Sequence, residues 1–259
     1  MTILLLLVGL GLIVLGADWL VDGASAIARK AGVSEFVIGL TIVGFGTSCP
    51  ELVVSLTGAI QGNADISIGN VVGSNIFNTL FILGLTSLIL PVSMTVENRK
   101  RDIPITLGVS LLLVVCGMSS SLLGIGQADA LSRTEGIIFL FAFAAYLFYC
   151  FKSDSKGQFA QEEQKSVRMP MAILLVVLGL GNILGSNVFN ILLILGCSSV
   201  ITPLSFSGMN PVDAGMLILS SALLLLWAFT GRKCCIDRWE GAIMLLTFAA
   251  YYYYLFTKI

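Results

Sequence analysis

Long apolar runs constrain this chain more than any other feature. Leu4 to Leu20, and Leu217 to Trp227 with its flanks, approach or reach the roughly 20 residues that a helix needs to cross a bilayer. Hydrocarbon offers no partner to a backbone amide or carbonyl, so such runs are expected to be helices that satisfy their own hydrogen bonds. Composition agrees: 57% of the 259 residues are hydrophobic and 11% are charged, where a soluble domain carries about 25%. The expected fold class is an all-α polytopic membrane protein with no soluble domain. The first run continues past Asp18 without a small-residue cleavage site, so it reads as a retained first helix, with the mature protein starting near Met1.

Spans are expected at about 2–28, 36–60, 66–90, 104–124, 134–151, 171–201, 211–230 and 238–257, eight in all. Charge tests the count, because basic residues gather in cytoplasmic loops and successive loops alternate sides. The loops after the first, third, fifth and seventh spans hold Arg29 and Lys30; Arg99, Lys100 and Arg101; Lys152, Lys156, Lys165 and Arg168; and Arg232, Lys233 and Arg238. The other side keeps only Arg133 and Lys258. An odd count would scramble this separation. Both termini are therefore expected on the non-cytoplasmic side, and the expected location is the plasma (inner) membrane. A net charge of −1 points to no nucleic acid and no acidic partner. The six cysteines show no metal-type or framework spacing and are expected to be free thiols.

The chain repeats itself. "RTEGIIFLFAFAAYLFYCF" from Arg133 matches "RWEGAIMLLTFAAYYYYLF" from Arg238, and "NVVGSNIFNTLFILG" from Asn70 matches "NILGSNVFNILLILG" from Asn182. The third span runs inward and its counterpart, the sixth, runs outward, so the halves are inverted repeats. They are unequal. "LVGLG" ending at Gly11 resembles "VLGLG" ending at Gly181, yet Asn70 follows Gly11 by 59 positions while Asn182 follows Gly181 at once, a deficit of 58 residues. This divides the chain into a first repeat at 1–151 with a complete unit at about 36–90, a cytoplasmic linker at 152–170, and a shortened second repeat of three spans at 171–259. The sixth span, from about Met171 to Ile201, would run some 45 Å at about 1.5 Å per residue, so tilt or an unwound end is expected.

Glu51 lies inside the second apolar run with no Lys or Arg nearby in sequence. A charge at that depth costs roughly 2.5 to 3.5 kcal/mol, so compensation is expected. Pro50 cannot donate and clashes with the carbonyl four residues back, which frees the oxygen of Gly46 as a cation ligand. Gly44 and Gly46 permit local unwinding, and Thr47 and Ser48 add hydroxyl oxygens within a turn of the carboxylate. Hard oxygens suit sodium or calcium. Asn70, Ser74 and Asn78 share one helix face by their spacing of four, and Asn182, Ser186 and Asn190 repeat that stripe.

"GLTIVGFGTSCPELVVS" followed by "GNVVGSNIFN" resembles the first α-repeat of the cation/calcium exchanger superfamily, which includes the sodium/calcium exchangers. The resemblance covers the first half and then continues from Asn182 to the end, where a partial unit spans 182–196. It implies an inverted-repeat transporter bundle, here of about eight helices, two fewer than the usual ten. It also implies a metal site of Thr47, Ser48, Glu51, Ser74 and Asn78, joined by Ser186 and Asn190 from the second repeat, and the carbonyl that Pro50 frees at Gly46 is expected to add to it. The second repeat's own Thr-Ser-x-Pro-Glu element falls within the absent 58 residues. No cofactor is implied beyond the bound or transported Ca²⁺ and Na⁺. The partners are those cations and the lipid bilayer, with the oligomeric state open.

Other readings stand beside these. Glu51 as a protonated structural acid, and Ser74 and Asn78 as packing residues near the small pair Gly69 and Gly73, are the bland ones. Asp18 and Asp22 read as structural, and Glu135 and Glu240 as helix anchors near Arg133 and Arg238. For function, antiport of Ca²⁺ against Na⁺ or H⁺ by alternating access competes with a non-transporting or partner-dependent homologue that keeps a partial monovalent-cation site. An enzyme is not expected, because the chain has no histidine and no evident nucleophile and base pair.

Overall fold

The computed structural model describes residues 2–33, 35–124, 128–154, 180–230 and 235–258. Helix α1 (Thr2–Lys30) precedes α2 (35–47) and α3 (Cys49–Ile60), two arms of one broken span. There follow α4 (Ala64–Ile89), α5 (Ile103–Gly117), the short α6 (Ser119–Leu123), α7 (Arg133–Asp154), α8 (180–201), α9 (Pro211–Thr230) and α10 (Arg238–Phe256). Five described helices are long and apolar enough to cross a membrane, and the broken pair makes a sixth. The expected count of eight adds α5, of 15 residues, and α10, of 19 residues, where four consecutive tyrosines dilute the hydropathy. Most of the linker expected at 152–170, and residues 171–179 of the sixth span, lie outside the described residues. Among the described cysteines, Cys49, Cys116, Cys150, Cys197 and Cys235 are free thiols, as expected.

Local chemistry sets the boundaries. Gly62, at φ 72°, closes α3 with a left-handed turn in which the amide of Asn63 donates to the carbonyl of Gly58 at 2.8 Å. The side chain of Asn63 then caps α4 by accepting from the amide of Ile66 at 3.4 Å. Chain reversal between α3 and α4 therefore takes only a few residues. Two other features are absent from any propensity table. Residues Phe77–Ile82 in α4 and Phe189–Leu195 in α8 are π-helical, and they occupy matching positions of the two repeats. Such insertions are rare and concentrate at functional sites.

The halves are interlocked. Helix α10, from the second half, packs on α4 of the first, and α7, from the first half, packs on α8 of the second. Each contact depends on a glycine pair. A Cβ on Gly241 would stand 2.7 Å from the carbonyl of Gly84, and one on Gly136 would stand 2.9 Å from the carbonyl of Gly196. Each contact also carries an edge-on aromatic pair, Phe77 with Phe248 at 5.7 Å and Phe143 with Phe189 at 4.7 Å. Short antiparallel bridges tie the ends: Val92–Ser93 to Cys235–Ile236, and Ala130–Leu131 to Leu204–Ser205. Ser110 of α5 and Ser221 of α9 meet at 3.2 Å.

Glu135 and Glu240 do anchor their helices, but through capping boxes. Glu135 accepts from the amide and hydroxyl of Ser132, both at 2.7 Å, and Glu240 accepts from the amide of Asp237 at 2.8 Å. The arginines expected beside them reach across the interface instead. Arg133 donates to the carbonyl of Ile201 at 3.2 Å and Arg238 to that of Ile89 at 3.3 Å, satisfying carbonyls that helix ends leave open.

Candidate cation site

The broken span bends by 55° between Thr41–Thr47 and Cys49–Ile60. Ser48 forms the joint, at φ −94° and ψ 0°, and Pro50 lies in the first turn of α3, where its missing N–H costs nothing. The unwinding expected at Gly44 and Gly46 falls instead at Ser48, since Gly44–Thr47 is helical. The carbonyl of Gly46 accepts a backbone N–H at the cap rather than standing free, so one of its two lone pairs is engaged. Glycine at 46 has a packing reason: a Cβ there would overlap the side chain of Val21 on α1. Glu51 falls in the first turn of α3, where the helix dipole favours its charge.

On one side of the joint, α2 lies against the start of α8. A Cβ on Gly44 would touch the amide of Ser186 at 3.4 Å and the backbone of Gly185 at 3.5 Å. Thr47 Oγ1 lies 2.8 Å from Ser186 Oγ and donates to Asn182 Oδ1 at 3.2 Å. Ser186 also donates to the carbonyl of Asn182 at 2.9 Å.

On the other side, Glu51 opens onto a cleft of about 340 Å³ lined by Asn70, Ser74, Asn78, Phe77, Tyr252 and the glycines at 69 and 73. Asn70 fastens α4 to α3 by donating to the carbonyl of Glu51 at 3.0 Å and to Ser55 Oγ at 2.9 Å. Beneath the cleft, two asparagine pairs join α4 to α8. Asn190 donates to Asn75 Oδ1 at 3.0 Å and Asn78 to Asn187 Oδ1 at 3.2 Å. Asn187 in turn donates to Thr79 Oγ1 at 2.8 Å.

Expected ligands therefore fall into two groups: Glu51, Ser74 and Asn78 line the cleft, while Thr47 and Ser186 bond one another across the joint. Three buried oxygens of the expected set, Ser48 Oγ, Glu51 Oε2 and Asn190 Oδ1, have no hydrogen-bond partner among the described residues. Unpaired buried acceptors are costly, and a cation relieves that cost. Asn75, Asn187, Thr79 and Ser55 were not in the expected set. A Ser-Asn pair repeated in both halves, Ser74 with Asn75 and Ser186 with Asn187, was the signal that could have found two of them. Among the described residues no three His, Cys, Asp or Glu side chains cluster, so Glu51 has no acidic partners of that kind.

A family model described as sodium/calcium exchanger protein matches residues 1–152 and 171–257. The putative antiporter CaxA of Alkalimonas amylolytica is 31% identical, with 97% of this chain and 98% of that protein covered. Sodium/calcium exchanger MaX1 of Methanosarcina acetivorans is 30% identical, with 98% of each covered. A solved structure of the sodium-calcium exchanger NCX_Mj, soaked with 2.5 mM Na⁺ and 1 mM Sr²⁺, superposes with a TM-score of 0.70 at 26% identity, over 94% of this chain and 95% of that one. The alignment with the Alkalimonas protein runs over 323 positions against 259 residues, so at least 64 of them have no residue here. That is in keeping with the 58-residue deficit between the repeats.

Proposed function

Since the chain belongs to the sodium/calcium exchanger protein family, whose members are secondary membrane transporters, we propose that it binds Na⁺ and Ca²⁺ at Glu51 and exchanges them by alternating access. The ligands are the carboxylate of Glu51, the hydroxyls of Thr47, Ser48, Ser74 and Ser186, the amide oxygens of Asn78 and Asn190, and the remaining lone pair of Gly46. The observation that carries this reading is the trio of buried, partnerless oxygens on Ser48, Glu51 and Asn190. The units are the two repeats, 1–151 and 171–259, and the protein lies in the plasma (inner) membrane with both termini outside.

One carboxylate sets the selectivity. Calcium takes six to eight oxygens and its affinity rises with ligand charge. With Glu51 alone, a divalent ion leaves a net positive site in a medium of low dielectric, whereas sodium leaves a neutral one. Monovalent binding is favoured and calcium exchange is impaired. A second reading is a non-transporting homologue with a partial monovalent site, and the uncovered cleft beside Glu51 favours it.

Sodium-loaded proteoliposomes placed in radioactive calcium separate the two. Uptake that requires the sodium gradient and disappears in Glu51→Gln supports antiport. Folded, correctly inserted protein that takes up no calcium overturns antiport in favour of the non-transporting reading.

A further inference from the structure

The two repeats are alike in sequence and unlike in what covers them. A shift of 112 positions carries Asn182, Gly185 and Ser186 of α8 onto Asn70, Gly73 and Ser74 of α4. The first set is closed over by α2, through Gly44 against Gly185 and Thr47 against Ser186. The second set is only partly covered: Asn70 donates to the carbonyl of Glu51 and to Ser55 Oγ on α3, but no described helix crosses at Gly73 as α2 crosses at Gly185. A Cβ on Gly69 or Gly73 would find no described atom within 4 Å, and the Ser74 hydroxyl donates back along its own helix, to the carbonyl of Asn70 at 2.7 Å. Burial follows: 83% of the membrane-spanning window of α8 is buried, against 50% for α4.

We propose that the face of α4 formed by Gly69, Gly73, Ser74 and Phe77 is a docking surface for a broken membrane helix of the α2–α3 kind, inverted in the bilayer and supplied by a separate chain. The occupant's chemistry comes from the related contact on α8: a glycine where it crosses Gly73, a hydroxyl against Ser74, and a carboxylate one turn later. Lipid fits poorly, because Asn70, Ser74, Asn78 and Glu51 line the same cleft and acyl chains leave such groups unpaired. A second copy fits no better, since the basic residues give both copies one orientation. The inference rests on the repeat and site reading given under Proposed function and names the partner of that site.

The probe is a polypeptide with the sequence of residues 12–69, Arg29 and Lys30 replaced by serine and lysines added at both ends so that it inserts inverted. It carries Thr47→Cys and is co-expressed with the full chain, whose native cysteines are serine and which carries Ser74→Cys. Expected are a probe-to-chain disulfide on oxidation with copper phenanthroline, and labelling of Ser74→Cys by a water-soluble maleimide that slows about tenfold when nine in ten chains are occupied. Phe77→Cys serves as a second reporter if Ser74→Cys folds poorly. A probe with the same Thr47→Cys that keeps Arg29 and Lys30 and lacks the added lysines, and so keeps the original orientation, should give neither result. Equal crosslinking by both probes, no protection, or a face already unreactive without any probe each overturns the proposal. These readouts need no transport, so they can fail while the uptake experiment succeeds, and the reverse.

Discussion

Asn190 donates its side-chain amide to Asn75 Oδ1 at 3.0 Å, and the same bond seen from the other half joins Asn78 to Asn187 at 3.2 Å. The two contacts exchange under the repeat shift, so the pseudo-twofold axis passes between them. Asn75, Asn187 and Asn190 are all buried; Asn75 and Asn187 each donate and accept, and Asn190 donates.

Removing one member should cost more than removing both. Asn75→Leu leaves the Asn190 amide unpaired and is expected to destabilise by about 1–3 kcal/mol, whereas Asn75→Leu with Asn190→Leu should recover part of that loss. Thermal unfolding of the four members of the cycle in detergent measures the coupling, expected at about 0.5–3 kcal/mol. Additive losses would show that the bond carries no weight.

Glycine contacts give a sharper contrast. Gly241→Ala pushes a methyl group onto Ser87 Oγ and the carbonyl of Gly84, and Gly136→Ala does the same to Ser199 and Gly196. Each is expected to cost about 1–3 kcal/mol by overpacking. Gly73→Ala, which finds open space, is expected to be neutral or slightly stabilising through helix propensity. Melting temperatures of the three variants, compared at one detergent concentration, decide the matter.

Sodium should stabilise the folded protein through Glu51. At a hundred times its dissociation constant, a ligand of the native state alone adds about 2.7 kcal/mol. Replacing sodium by choline is expected to lower the melting temperature of the wild type and to leave Glu51→Gln unmoved, with Ser48→Ala and Thr47→Val showing intermediate responses. A sodium response retained in Glu51→Gln would place the ion elsewhere.

Acid should act through Asp129, in the loop after α6. The hydroxyl of Ser121, and then its amide at 2.8 Å, donate to this carboxylate and hold it below the usual range. A depressed folded pKa gives stability that is fully present above the unfolded value of about 3.9 and is lost as pH falls through the folded value. The wild type is therefore expected to exceed Asp129→Asn in melting temperature at neutral pH, with the difference closing below about pH 4.

Much of this was legible in the residues. Apolar runs and loop charges place the helices of the bundle, and Gly44, Gly46 and Pro50 mark the segment that holds the break, although Gly44–Thr47 stays helical and the joint falls at Ser48. Those are local signals, set by backbone freedom and by a missing donor. What escaped was decided by partners distant in sequence. The π-helical turns after Ile76 and Val188 have no propensity signature, because they answer to packing between the repeats. Arg133 and Arg238 were read beside the acids two positions away, yet each reaches a carbonyl on the opposite half. Tyr252, near the end of the chain, lines the cleft beside Glu51 only because α10 crosses over to α4.

That crossing of α10 onto α4, answered by α7 on α8, makes each half the scaffold of the other. Neither repeat owns a finished core: the first surrenders its last helix and receives a stranger's. A chain cut between Asp154 and Leu180 should therefore yield two fragments that remain associated and co-purify, while either fragment expressed alone should be degraded. Such an exchange of helices makes the second half impossible to discard without leaving α4 of the first half bare.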